Sequence, residues 1–139
     1  MEKNVIRSSL AILSANMVAF AAVALAPIAM IAIARQFSPE YLEVHVRTVF
    51  GIAYVLGTVV VGVLAGLAVG RLAPARPVLH MLLAALVMEG IGLALGGTAT
   101  LPKGWQILGL ALQVLLACAS AALVWEYGHR EPSVGLRAL

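Results

Sequence analysis

The sequence contains no aspartate, a single cysteine and few charged residues of either sign. All six acidic residues are glutamates, charged residues make up 11% of the chain, and Cys118 has no second cysteine to pair with. These absences exclude an intrachain disulfide and any aspartate-rich magnesium site. The three histidines lack metal-ligand spacing, and no glycine-rich phosphate loop follows a strand. We therefore expect no catalytic residue, no metal, no cofactor and no enzymatic activity.

The chain is rich in apolar residues. The 139 residues are 63% hydrophobic, with a mean hydropathy of +1.04, whereas a soluble domain is about 45–50% apolar and about 25% charged. This composition predicts an integral membrane protein with one domain, residues 1–139. The net charge of +3 comes from basic residues between apolar spans, so it reflects topology and predicts no nucleic-acid partner.

The apolar residues form four spans, each near the 20 residues that cross a bilayer as a helix. The sequence predicts an all-α, four-helix membrane bundle with short loops and spans at about 9–34, 48–70, 77–97 and 105–126. Ser38, Pro39 and Glu40 form a helix-start signal. The helix that begins there, over 39–47, is expected to be interfacial or continuous with the second span. The tight link between Arg71 and Pro77 predicts that the second and third helices are antiparallel neighbours.

The basic residues indicate the orientation of the chain. Lysines and arginines concentrate on the cytoplasmic side of membrane proteins. Placing both termini in the cytoplasm puts six basic residues inside (Lys3, Arg7, Arg71, Arg76, Arg130 and Arg137) and three outside (Arg35, Arg47 and Lys103). We therefore expect cytoplasmic termini, in a bacterial cytoplasmic membrane.

Small residues recur at regular spacing on several spans. Thr58, Gly62, Gly66 and Gly70 form a stripe along the second span, and such stripes allow another backbone to approach closely. The stripe is expected to close the bundle, to face another subunit, or both. Further packing positions are expected at Ala15 and Ala22 of the first span and at Gly92 and Gly96 beside the third.

One acidic residue, Glu89, lies inside an apolar span. An ionised carboxylate at that depth is strongly disfavoured, so we expect Glu89 to be protonated at rest. Counting helical rise places Gln113 and Thr58 near the same depth, and Asn16 lies about a third of the way across. Glu89 fixes helix packing through a hydrogen bond, or it carries a proton or cation with Gln113, Thr58 and Asn16 along the path, or it belongs to a site for a lipid, quinone or pigment.

Two functions follow from these patterns. The first is a structural or accessory subunit of a larger membrane assembly, because the chain has little mass outside the spans and one buried charge. Its partners would be the lipid bilayer and other membrane subunits or further copies of itself. The alternative is a homo-oligomeric transporter or channel for a small solute, coupled to protons or cations through Glu89.

Overall fold

The computed structural model describes the backbone of residues 2–94 and 102–129, and the side chains of 2–88 and 102–128. Over these residues the chain is all-α, with no strand. The four helices are α1 (Glu2–Ala34), α2 (Pro39–Leu72), α3 (Pro77–Ala94) and α4 (Lys103–His129). The predicted spans fall within these helices, apart from 95–97, which lie outside the described residues. The all-α, four-helix prediction is confirmed.

Local signals explain where α2 begins and ends. The Ser38 hydroxyl accepts a hydrogen bond from the backbone N–H of Tyr41 at 3.3 Å, and Pro39 occupies the first turn. Both features stabilise a helix N-terminus. The segment 39–47 is therefore the start of α2 and not a separate interfacial helix. At the other end, the N–H of Ala73 donates to the Val69 carbonyl at 2.8 Å, which closes the last turn.

The helices have the length and composition of membrane spans. Among the described residues, α1, α2 and α4 as far as Gly128 are each long and apolar enough to cross a bilayer, and α3 is apolar over Pro77–Met88. At about 1.5 Å per residue, α1 and α2 are each about 50 Å long. The hydrocarbon core is about 30 Å thick, so both helices extend beyond it.

The four helices pack in a ring. The most extensive contact joins α2 to α4, α1 packs on α2, and α3 contacts both α4 and α1. The smallest contact among the described residues is between α2 and α3, although only the short link 73–76 joins them. A tight link makes two helices antiparallel but does not make them principal partners, because a better-fitting surface on α4 competes for α2.

The α2–α4 interface is a parallel pair built on small residues. Contacts advance in the same direction along both helices, from Gly51 against Trp105 to Gly70 against Ala121. A Cβ atom added to Gly62 would lie 2.5 Å from the Gln113 carbonyl oxygen. With no Cβ in the way, the two backbones touch directly, as small-residue stripes in membranes permit.

The interior of the bundle is made mostly of alanine. Its core cluster contains Val69 as the largest fully buried side chain, Met81, and seven alanines: Ala11, Ala15, Ala65, Ala73, Ala84, Ala117 and Ala121. Large apolar side chains face outward instead; Leu86 and Leu115 are 69% and 67% exposed. Lipid tails are as apolar as leucine, so close packing of small residues and not burial of large ones holds the helices together.

Candidate functional site at the centre of the bundle

A small cavity lies where the four helices meet. Its volume is about 30 Å³, and its lining is mainly alanine together with Met81 and Met88 of α3. Gln113 of α4 is the one polar side chain among the described residues that line it. The cavity has room for one or two water molecules, whereas small-molecule sites occupy about 300–1,000 Å³. The cavity that the described residues line is therefore too small for an organic substrate.

Of the four residues that the sequence suggested for ion coupling, the structure describes the side chains of Gln113, Thr58 and Asn16, and it does not place these three around one cavity. Gln113 lines the cavity, and its backbone packs on Gly62. Thr58 lies one helical turn away from that contact, beside Gly109, where its hydroxyl donates to the Val55 carbonyl at 2.8 Å. The hydroxyl and the amide therefore occupy different levels, because α4 is displaced along α2 relative to the estimate from helical rise.

Asn16 is buried on α1 but does not line the cavity. It is 6% exposed, and its Nδ2 donates to the Ile12 carbonyl of the preceding turn at 2.8 Å. Its Oδ1 is buried and accepts no hydrogen bond from any residue in the described part of the chain. A carbonyl oxygen buried in apolar surroundings without a donor carries a free-energy cost. Asn16 is thus a polar group whose role the bundle interior does not explain.

Some predicted residues lie outside the described part of the molecule. Glu89 and Gly92 belong to the helical backbone of α3, but the described side chains of that helix end at Met88. Gly96 lies in the segment 95–101, outside the described residues. The role of Glu89 in packing or in ion coupling therefore remains a prediction from the sequence.

The predicted packing residues on α1 and α2 divide into two groups. Gly62, Gly66, Gly70 and Ala15 are buried, and the three glycines lie against α4. Ala22 is half-buried, and the residues that follow it, from Val23 to Ala29, are exposed. The buried alanines of α1 are Ala11, Ala15 and Ala19, spaced by four residues, whereas the predicted positions Ala15 and Ala22 are seven residues apart.

Sequence reasoning missed the complementary surface on α4. Gly109 lies under the ring of Tyr54; a Cβ there would be 2.5 Å from the Tyr54 Cε1 atom. Gly109, Gln113, Ala117 and Ala121 recur every four residues and face the stripe on α2. The matching period was visible in the sequence, but the polar Gln113 within it concealed the pattern.

Neither a metal cluster nor a known relative defines the chemistry of this site. Within residues 2–88 and 102–128, no three histidine, cysteine or acidic side chains are grouped as metal ligands. Comparisons with protein-family models, with curated proteins and with solved structures found no match. Function must therefore be argued from the surfaces and cavities of the bundle itself.

Proposed function

We propose that the protein is a structural or accessory subunit of a larger membrane assembly, and that the outer half of α1 contacts its neighbours. The observation that carries this proposal is the exposure of α1 beyond Ala19. Every residue from Val23 to Ala29 is exposed, which is nearly two full helical turns. This segment therefore keeps a large accessible surface, whereas the buried residues of α1 lie in its inner half, which packs on α2 and α3.

The composition of this segment supports a helix as its neighbour. It presents Ala24, Ala26 and Ala29 alongside Leu25 and Ile28, which are 60% and 65% exposed. Alternating small and large apolar residues allow a transmembrane helix to approach closely. The glycine stripe of α2 is already covered by α4, so α1 is the better candidate for contact with another subunit. We place this assembly in a bacterial cytoplasmic membrane, with both termini in the cytoplasm.

The mass of the native particle tests this proposal. The protein would be extracted from its own membrane at native expression in a mild detergent and measured by native mass spectrometry. We expect a particle that contains other membrane subunits. Ala29→Trp, on the exposed half of α1, should release them. Ala111→Trp, at an exposed position of α4, is the matched control and should leave the particle intact. A particle that contains only this chain would contradict the proposal.

One observation favours the alternative, a proton- or cation-coupled transporter. Gln113 places an amide in the central cavity, and Met88 of α3, the residue before Glu89, also lines that cavity. Another conformation of the bundle would have to widen this cavity, because about 30 Å³ does not admit a hydrated ion.

The alternative predicts that Glu89→Gln abolishes proton-coupled flux while the bundle keeps its thermal stability. Glutamine donates a hydrogen bond as a protonated carboxyl does, but it cannot release a proton. The measurement is flux into proteoliposomes containing a pH-sensitive dye. Glu43→Gln, an exposed acid in the first turns of α2, serves as the control. Equal flux for Glu89→Gln and the unaltered protein would rule out coupling through this residue.

A further inference from the structure

An open groove runs along the outside of the bundle between α1 and α3. Its walls are Phe20 and the preceding turns of α1 on one side and Val87 of α3 on the other, and its volume is about 500 Å³. The lining also includes Asn16, but that residue is 6% exposed and turns its Nδ2 back to its own helix. The groove therefore presents an almost entirely apolar surface.

The length of the groove matches one leaflet of a bilayer. From Ser9 to Phe20 it follows α1 for about 16 Å at about 1.5 Å per residue. Half of the hydrocarbon core is about 15 Å. An extended acyl chain of a single leaflet has this reach, whereas a transmembrane helix of a partner would need a groove of twice the length.

Polar and cationic residues lie at the end of the bundle where this groove begins. His80 and Val87 are seven residues apart on α3, which places them on one face of that helix, and Arg76 directly precedes α3. The Nδ1 atom of His80 is 3.1 Å from the Arg76 carbonyl, so the imidazole lies beside the backbone of this arginine. Ser9, which lines the groove, lies at the same end of α1 and is exposed. The nearest acid on that face of α1 is Glu2, about 10 Å further from the membrane centre.

The backbone of Arg76 is also unusual. It has a φ of 48°, the one positive value among the described non-glycine residues, and this conformation costs an L-residue free energy. Its carbonyl accepts hydrogen bonds from the N–H groups of Leu79 and His80 at 3.0 and 3.3 Å. The strained turn thus fixes the backbone of Arg76 directly before α3, at the same end of the helix as His80.

We propose that this groove binds one phospholipid, with an acyl chain against Leu13, Phe20 and Val87 and the phosphate held by Arg76 and His80. An apolar slot that is one leaflet long, with an arginine and a histidine near the N-terminal end of α3, matches the two parts of such a lipid. Guanidinium groups bind phosphate oxygens through charge-assisted hydrogen bonds, and basic pockets between transmembrane helices bind lipid headgroups. This site does not include the exposed segment from Val23 to Ala29 and does not depend on the proposed function.

Native mass spectrometry of the delipidated full chain tests the proposal, with phosphatidylglycerol as the probe and diacylglycerol with the same acyl chains as the comparison. We expect one phosphatidylglycerol per chain and little retained diacylglycerol. Arg76→Gln should weaken phosphatidylglycerol binding about tenfold, the effect of losing one charge-assisted hydrogen bond. Arg71 is an exposed arginine in the last turn of α2, close in sequence to Arg76. Arg71→Gln should not change phosphatidylglycerol binding.

A second pair of variants tests the groove itself. Val87→Trp fills the groove and should remove the bound lipid. Leu86→Trp, at the adjacent and 69% exposed position, should retain it. Equal binding of diacylglycerol and phosphatidylglycerol, with no effect of Arg76→Gln, would overturn the proposal. So would a lipid-free dimer that Val87→Trp dissociates, because a second copy of the chain would then occupy the groove.

Discussion

Gly66→Leu is expected to unfold the α2–α4 pair and to lower the free energy of unfolding by about 3 kcal/mol or more, at the upper end of overpacking effects. The added atoms would overlap the Ser120 hydroxyl and the backbone carbonyl of Ala117. A side chain can rotate away, but the carbonyl belongs to a helix and cannot move alone. Relief therefore requires the two helices to separate along much of their shared surface.

The matched control for this change is Gly57→Leu on the same helix. Nothing lies within 4 Å of a Cβ added to Gly57, and both substitutions gain about 1 kcal/mol of helix propensity. Gly57→Leu should therefore be neutral or stabilising, so the difference between the variants isolates the interface. The measurement is unfolding in mixed micelles with increasing denaturing detergent, followed by circular dichroism. Equal midpoints for the two variants would show that α2 and α4 do not pack through the glycine stripe.

Asn16→Leu is expected to stabilise the protein by about 1–3 kcal/mol, the cost of burying an amide oxygen without a donor. Leucine has nearly the same shape as asparagine, so the space between α1 and α3 stays filled. Losing the hydrogen bond from Nδ2 to the Ile12 carbonyl costs little free energy, because that carbonyl also accepts a backbone N–H hydrogen bond within the helix. The same detergent unfolding assay measures the change.

Ser14→Ala provides the comparison for Asn16. The Ser14 hydroxyl donates to the Ala11 carbonyl at 2.9 Å, so its removal deletes a satisfied group and should change stability little. A loss of stability in Asn16→Leu would mean that Oδ1 accepts a hydrogen bond in the folded protein. The donor would then belong to a partner or to a residue outside the described part of the chain.

The helices themselves were predictable because their signals are local. Apolar runs bounded by charges gave the four spans, and Ser38 and Pro39 gave the start of α2. The spacing of Gly62, Gly66 and Gly70 predicted close approach, but several helices in the chain carry small residues. The pairing of α2 with α4 depends on the small residues Gly109 and Ala117 of α4 lying at the same levels as their contacts on α2. This match involves both helix surfaces and cannot be deduced from either one alone.

The site was less predictable, because depth along a helix does not fix which side chains meet. Gln113 and Thr58 were expected at one level, yet Gln113 packs beside Gly62, a full turn beyond Thr58. Asn16 and Ala15 are adjacent in sequence, but only Ala15 faces the central cavity. Rotating a helix about its axis by one residue, or sliding it along its neighbour by one turn, changes whether a side chain lines the central cavity or an outer groove. Composition and periodicity determine neither the rotation of a helix nor its position along its neighbour.

The pairing of α2 with α4 has a consequence for how the chain is made. The glycine-lined surface of α2 leaves the ribosome before its partner exists, since α3 and the following link must be synthesised first. At about 5–20 residues per second, that surface waits in the membrane for a few seconds. During this interval it is open to any other helix with a matching row of small residues. Correct assembly therefore requires that α4 be synthesised before another helix binds α2. A ribosome that stalls before Lys103 would leave a fragment whose α2 surface is open to pairing with a helix of another protein.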